Sequence, residues 1–208
     1  MLGLIKKNLY LSIQRSKWMF CLLGLYLVIG LFSGGADIVF MLLPILSGVE
    51  AANAAAYDAT CEWDLYASAL PVTRRQTVLA QYITGYLLIA AGSAVSLIGS
   101  LIYIRFTGGS IAEPLASILG MTVFALLYLS VVTPVVYKFG IEKLRMVMML
   151  MMIGMGILIY AVISVTKLSI VDFVPYLPLI GITVIALAVV VCVGSVFLSM
   201  KIYENKEL

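Results

Sequence analysis

The chain has 208 residues, 63% of them hydrophobic and only 11% charged, with a mean hydropathy of +1.15. A soluble domain is roughly a quarter charged and about half apolar, so composition alone makes this an integral membrane protein. A net charge of +3 is too small to imply nucleic acid, the lack of histidine removes imidazole-based metal and acid–base chemistry, and Cys21, Cys61 and Cys192 are isolated, with neither ligand spacing nor a disulfide framework.

Residues 1–17 are amphipathic. Leu2, Ile5, Leu9 and Ile13 form one stripe, while Lys6, Lys7, Gln14, Arg15 and Lys17 lie elsewhere. A basic amphipathic helix ahead of a membrane span is expected to lie in the interface. The alternative is a signal-peptide n-region cleaved near Ser33-Gly34-Gly35-Ala36, but the n-region is too long and further spans follow.

Six apolar stretches follow, near 18–33, 36–57, 77–104, 114–137, 144–166 and 174–200. Each approaches the length of about 20 residues that crosses a bilayer, and the first is the shortest. The expected architecture is an all-α integral membrane protein with six transmembrane helices, in a single transmembrane domain over 1–208. Basic residues set the orientation. With a cytoplasmic N-terminus the inside holds Lys6, Lys7, Arg15, Lys17, Arg74, Arg75, Lys138, Lys143, Arg145, Lys201 and Lys206, and the outside only Arg105 and Lys167. Both termini are then cytoplasmic. The longest external connection runs near 167–174, and Pro175 and Pro178 just beyond it favour a broken start to span six.

Between spans two and three, the loop 58–76 concentrates charge, aromatics and punctuation. Trp63, Tyr66, Ala67 and Leu70 recur at helical spacing, and Glu62 and Asp64 sit in the first turns, where the helix dipole favours anions. Pro71 stops that helix, and Thr73 and Gln76 form a Thr-x-x-Gln capping box that opens the next. A short cytoplasmic amphipathic helix, a break and a fresh apolar span are therefore expected. The helix either lies on lipid or docks in the groove of a partner. Trp, Tyr and Arg dominate protein interfaces, and Trp63, Tyr66, Arg74 and Arg75 all occur here.

Three features inside the spans carry competing readings. Glu50, with Asn53 three residues on, lies about 10 Å from the cytoplasmic end of span two. An acid at that depth marks a substrate path or subunit seam, or else pairs locally with Asn53 or lies at headgroup depth. Gly85, Gly92 and Gly99 form a seven-residue small-residue stripe on span three, suited to ordinary helix packing or to a dimer seam. Met146, Met148, Met149, Met151, Met152 and Met155 crowd the start of span five, as packing and lipid-facing surface or as the lining of a promiscuous path.

No catalytic motif is present: there is no Gly-x-Ser-x-Gly, no His-Glu-x-x-His and no P-loop. Any ATP-driven work must come from another chain.

The run Trp63-x-x-Tyr66-x-x-x-Leu70-Pro71-Val72-Thr73-Arg74-Arg75-Gln76-x-Val78-Leu79-x-x-Tyr82 resembles the signature of small bacterial ATP-binding-cassette (ABC) type-2 permeases, whose usual pattern is Trp-x-x-Tyr followed by Ser-Leu-Pro-Val-Ser-Arg-Lys. Ala69, Thr73 and Arg75 depart from it conservatively, and Gln81 replaces a common basic residue. Within that family the likeness is to permeases of the staphylococcal phenol-soluble-modulin exporter type. The resemblance implies that the loop helix is a coupling helix seated in a separate ATPase subunit. Glu62, Trp63, Tyr66, Leu70, Pro71, Val72, Arg74 and Arg75 then form the coupling region, and the N-terminal helix is an elbow. It further implies a second permease copy or related permease, two ATPases carrying ATP and Mg, and export of an amphipathic or hydrophobic cargo, such as a toxin or antimicrobial peptide, across a bacterial cytoplasmic membrane. Two other functions compete. One is an ATP-independent carrier or channel using Glu50; the other is a membrane scaffold that moves nothing.

Overall fold

The computed structural model describes residues 1–15, 36–61, 63–69, 71–108, 111–166 and 177–205, with positions 17, 21, 24, 25 and 28 between the first two segments. The predicted span near 18–33 and the external loop near 167–174 lie largely outside these residues, as do Glu62 and Leu70. The described elements are α1 (Leu2–Arg15), α2 (Ala36–Thr60), α3 (Trp63–Ser68), α4 (Arg74–Thr107), α5 (Ala112–Thr166) and α6 (Leu177–Glu204). Among the described residues four helical stretches are long and apolar enough to cross a membrane: Ile38–Thr60, Arg74–Thr107, Pro114–Gly140 and Ile185–Glu204.

Helix α1 presents Leu4, Asn8 and Ser12 to the protein at four-residue spacing, while Leu2 and Ile13 of the predicted apolar stripe are exposed, as is Tyr10. The ends of the apolar stripe therefore face away from the bundle, Ile5 and Leu9 are half-buried, and the inward face is partly polar. The amide on that face is satisfied. Asn8 donates to the Gln81 side chain at 2.8 Å, and Gln81 donates to the Ala51 carbonyl at 3.1 Å.

Two prolines interrupt the helical ladders, and both are repaired by a neighbouring helix. Proline has no N–H, so Pro44 in α2 frees the carbonyl of Phe40 and Pro134 in α5 frees that of Ser130. In a membrane such a carbonyl must find a donor within the protein. The Ser96 hydroxyl of α4 donates to the Phe40 carbonyl, and the Ser195 hydroxyl of α6 donates to that of Ser130.

The capping box forms as its sequence requires. The Gln76 amide donates to Thr73 Oγ1 at 3.3 Å and the Thr73 amide to Gln76 Oε1 at 3.2 Å. Helix α4 then runs 34 residues, beyond the span predicted at 77–104, and ends on Gly108 in the left-handed region. The spans predicted at 114–137 and 144–166 are two helices, both within α5, that meet at a kink at Gly140, whose φ of 73° suits glycine. Pro178 sits in the first turn of α6, where its missing N–H costs no bond; Pro175 lies outside the described residues.

The core lies where α2, α4 and the first part of α5 meet, around Ala51, Ala52, Ile89, Ala125, Leu129 and Val132. The glycine stripe faces this core. A Cβ on Gly85 would come within 2.6 Å of Leu129 and one on Gly92 within 2.6 Å of Ser47, while one on Gly99 would strike the Phe40 ring. The stripe thus seats α4 on α2 and α5 within a single chain, the ordinary packing reading.

Candidate functional site

The site is built where the loop 58–76 turns between α2 and α4. Helix α3 spans six residues, and its packing departs from the predicted stripe. Trp63 and Ala67, one turn apart, face the protein, with Ala67 6% exposed. Tyr66, 100° from Ala67 around the helix, is turned out at 61% exposure. The two rings nevertheless touch, with centroids 5.2 Å apart.

Trp63 is held from α1. Lys7 Nζ sits 3.6 Å from the centre of the Trp63 ring and lies 2.8 Å from both carboxylate oxygens of Asp58, the last acid of α2. One ammonium thus ties the N-terminal helix, the end of α2 and the start of α3 together. Both side chains of the ion pair are only about a fifth exposed (21% and 18%), which limits solvent screening. The indole Nε1 is buried without a hydrogen-bond partner among the described residues.

The far side of the turn is tied to α6. Pro71 is exposed and Val72 half-buried at the break. Arg74 Nη1 donates to the carbonyls of Glu204, at 2.8 Å, and Tyr203, at 3.5 Å. Carbonyls at a helix C-terminus lack intrahelical donors, and a guanidinium supplies them together with a favourable charge. Arg75 pairs with the Glu204 carboxylate. Below this the Tyr82 hydroxyl, buried, meets Ser195 Oγ at 2.6 Å and Ser199 Oγ at 2.8 Å, and the Tyr137 ring packs on Tyr203 at 5.1 Å. The turn is therefore anchored to α1 through Trp63 and to α6 through Arg74, Arg75 and Tyr82. Tyr66 and Pro71 are left exposed.

A family model described as ABC-2 family transporter protein matches residues 3–204. The chain belongs to the ABC-2 transporter family. No curated protein and no solved structure matches it. Membership makes the chain a multi-pass membrane subunit of a transporter, a permease rather than an enzyme, in a family that works with an ATPase partner.

In this ABC-2 permease the predicted coupling residues divide by place. Tyr66 and Pro71 are presented outward, Trp63 is turned in beneath Lys7, and Arg74 and Arg75 hold the end of α6. The path candidates do not converge. Glu50 is half-buried and lines a crevice under α1 with Asn8, Ser12, Tyr57 and Asp58, whereas Asn53 is exposed on α2. Met146 and Met149 are exposed, as packing or lipid-facing surface would be.

Lys7, Asp58, Gln81 and Tyr82 are among the residues whose roles sequence reasoning missed. A signal existed for the last two, since polar side chains inside an apolar span need partners. Lys7 looked like any other cation on the wet face of an amphipathic helix.

Proposed function

We propose that this ABC-2 permease is the membrane subunit of an ATP-driven exporter and that α3 is its coupling helix. A separate P-loop ATPase, two copies per transporter, binds ATP and Mg and receives α3. A second permease, identical or related, completes the complex. Helix α1 is the elbow, six spans cross a bacterial cytoplasmic membrane, and both termini are cytoplasmic. The cargo is amphipathic or hydrophobic, best matched by a peptide such as a toxin or antimicrobial peptide, since the spans are apolar along nearly their whole length.

The observation that carries this reading is the mounting of α3. Its exposed Tyr66 stands on a short helix clamped to α1 by Lys7, while the adjoining turn is clamped to α6 by Arg74. A push on Tyr66 from below reaches α1, α2, α4 and α6 together, as rigid-body coupling needs. Glu50, in a crevice beside α1 rather than among the buried core residues, gives no support to a carrier built on that acid.

The test is reconstitution with a P-loop ATPase that co-purifies with this chain. Trp63→Ala combined with Tyr66→Ala leaves the permease inserted and abolishes ATP-dependent cargo movement into vesicles. Export by the double variant at the unmodified rate overturns the coupling role.

A further inference from the structure

The break in α5 at Gly140 is flanked by Lys138 and Lys143, and it folds both ammonium groups toward one ring. Their Nζ atoms lie 5.1 Å and 6.0 Å from the centroid of Phe139. All three side chains are exposed, and neither lysine has an ion-pair partner among the described side chains, which do not include that of Glu142. The sequence from 138 to 145 adds Arg145 against a single acid, Glu142. Lys138 and Phe139 also line a groove between α5 and α6, whose other lining is apolar, Val135 and Leu198 among it, apart from Ser130 and Ser195, whose hydroxyls are bonded to backbone carbonyls.

These two residues lie at the α3 end of the molecule. Tyr137, next to Lys138, packs its ring on Tyr203, whose carbonyl accepts from Arg74 at the start of α4. The groove is thus apolar along its walls and cationic at its mouth, and the mouth is level with the coupling turn. That is the complement of an acyl chain beneath an anionic headgroup, because basic pockets between transmembrane helices on the cytoplasmic side suit anionic lipid headgroups. A zwitterionic lipid fits the walls but gains little from the two ammonium groups. A soluble anion gains from the ammonium groups but has no use for the walls.

We propose that the α5–α6 groove binds one anionic phospholipid of the leaflet facing α3, with the phosphate on Lys138 and Lys143 and an acyl chain along Val135 and Leu198. Only the naming of that leaflet as cytoplasmic rests on the orientation proposed above. The lipid spans the break at Gly140, resting on the first part of α5 while its headgroup engages a lysine on either side.

Native mass spectrometry of the purified full chain tests this, with phosphatidylglycerol and phosphatidylcholine of identical chains in competition. The unmodified protein binds phosphatidylglycerol preferentially. Each lysine contributes about fivefold to that preference, so Lys138→Gln and Lys143→Gln each lower it about fivefold and the double variant takes both lipids alike. Leu198→Trp fills the groove while keeping both lysines, and it lowers phosphatidylglycerol binding as well. Benzoylphenylalanine in place of Phe139 crosslinks to phosphatidylglycerol in vesicles. The proposal is overturned if the unmodified protein binds the two lipids equally, if the double variant keeps its preference, or if position 139 crosslinks to a second protein chain instead of lipid.

Discussion

Replacing Lys7 by glutamine removes two interactions at once, the cation–π contact with Trp63 and the ion pair with Asp58. A cation on an indole face contributes about 1 kcal/mol at a partly exposed site, and a partly screened ion pair contributes about 1 kcal/mol more. The docked position of α3 is then weakened by about 2 kcal/mol, roughly 30-fold in its docking equilibrium. Trp18 and Trp63 are the only tryptophans, so Trp18→Phe leaves Trp63 as the sole reporter. In that background Lys7→Gln raises acrylamide quenching of Trp63 and shifts its emission to the red. Asp58→Asn alone has the smaller effect, because Lys7 still covers the ring. The Lys7→Gln/Asp58→Asn double variant is no worse than Lys7→Gln. If Lys7→Gln leaves quenching and emission unchanged, Lys7 does not hold α3 and the clamp described above is wrong.

Other expected outcomes follow from the packing and from the repaired prolines. Gly48→Ala costs about 1–3 kcal/mol of stability in detergent unfolding and more than Gly85→Ala. Its new Cβ meets the Ala125 Cβ at 2.9 Å and the Ala125 backbone at 3.3 Å, which cannot yield, whereas the Leu129 methyl near Gly85 can rotate away. Ser96→Ala costs about 1 kcal/mol by stranding the Phe40 carbonyl, and adding Pro44→Ala recovers part of that loss because the restored N–H reaches the same carbonyl. The same unfolding assay measures both, and a strictly additive Ser96/Pro44 pair contradicts the repair. Glu50→Gln leaves ATP-dependent export in reconstituted vesicles within about twofold, since neutralising a single side chain away from the moving contacts changes little; loss of export returns Glu50 to the path.

Much of this fold could be read from the residues because membrane helices announce themselves by length and apolarity, and because Pro71, Thr73 and Gln76 punctuate the chain by local chemistry alone. The capping box needs four residues and no tertiary contact, so it formed as read. The glycine stripe was legible as a packing face, though only the neighbouring Leu129, Ser47 and Phe40 show that its partners lie in the same chain. What sequence reasoning could not supply is which way α3 rolls. Trp63, Tyr66 and Ala67 share a broad stripe, and the choice to bury Trp63 rather than Tyr66 depends on Lys7, more than fifty positions away. For the same reason Arg74 and Arg75 read as free interface cations. Their partners are at the other end of the chain, and nothing local to the turn points to Glu204. The Ser96 and Ser195 donors were equally hidden, since a serine in an apolar helix usually satisfies itself on its own backbone.

The most direct test of the central claim is a photocrosslink from Tyr66, the outermost aromatic of α3. With benzoylphenylalanine at position 66 in native membranes, the account predicts one dominant adduct, to a P-loop ATPase, whose yield changes when a non-hydrolysable nucleotide is added. An adduct only to phospholipid, or to an ATPase with a yield indifferent to nucleotide, contradicts it.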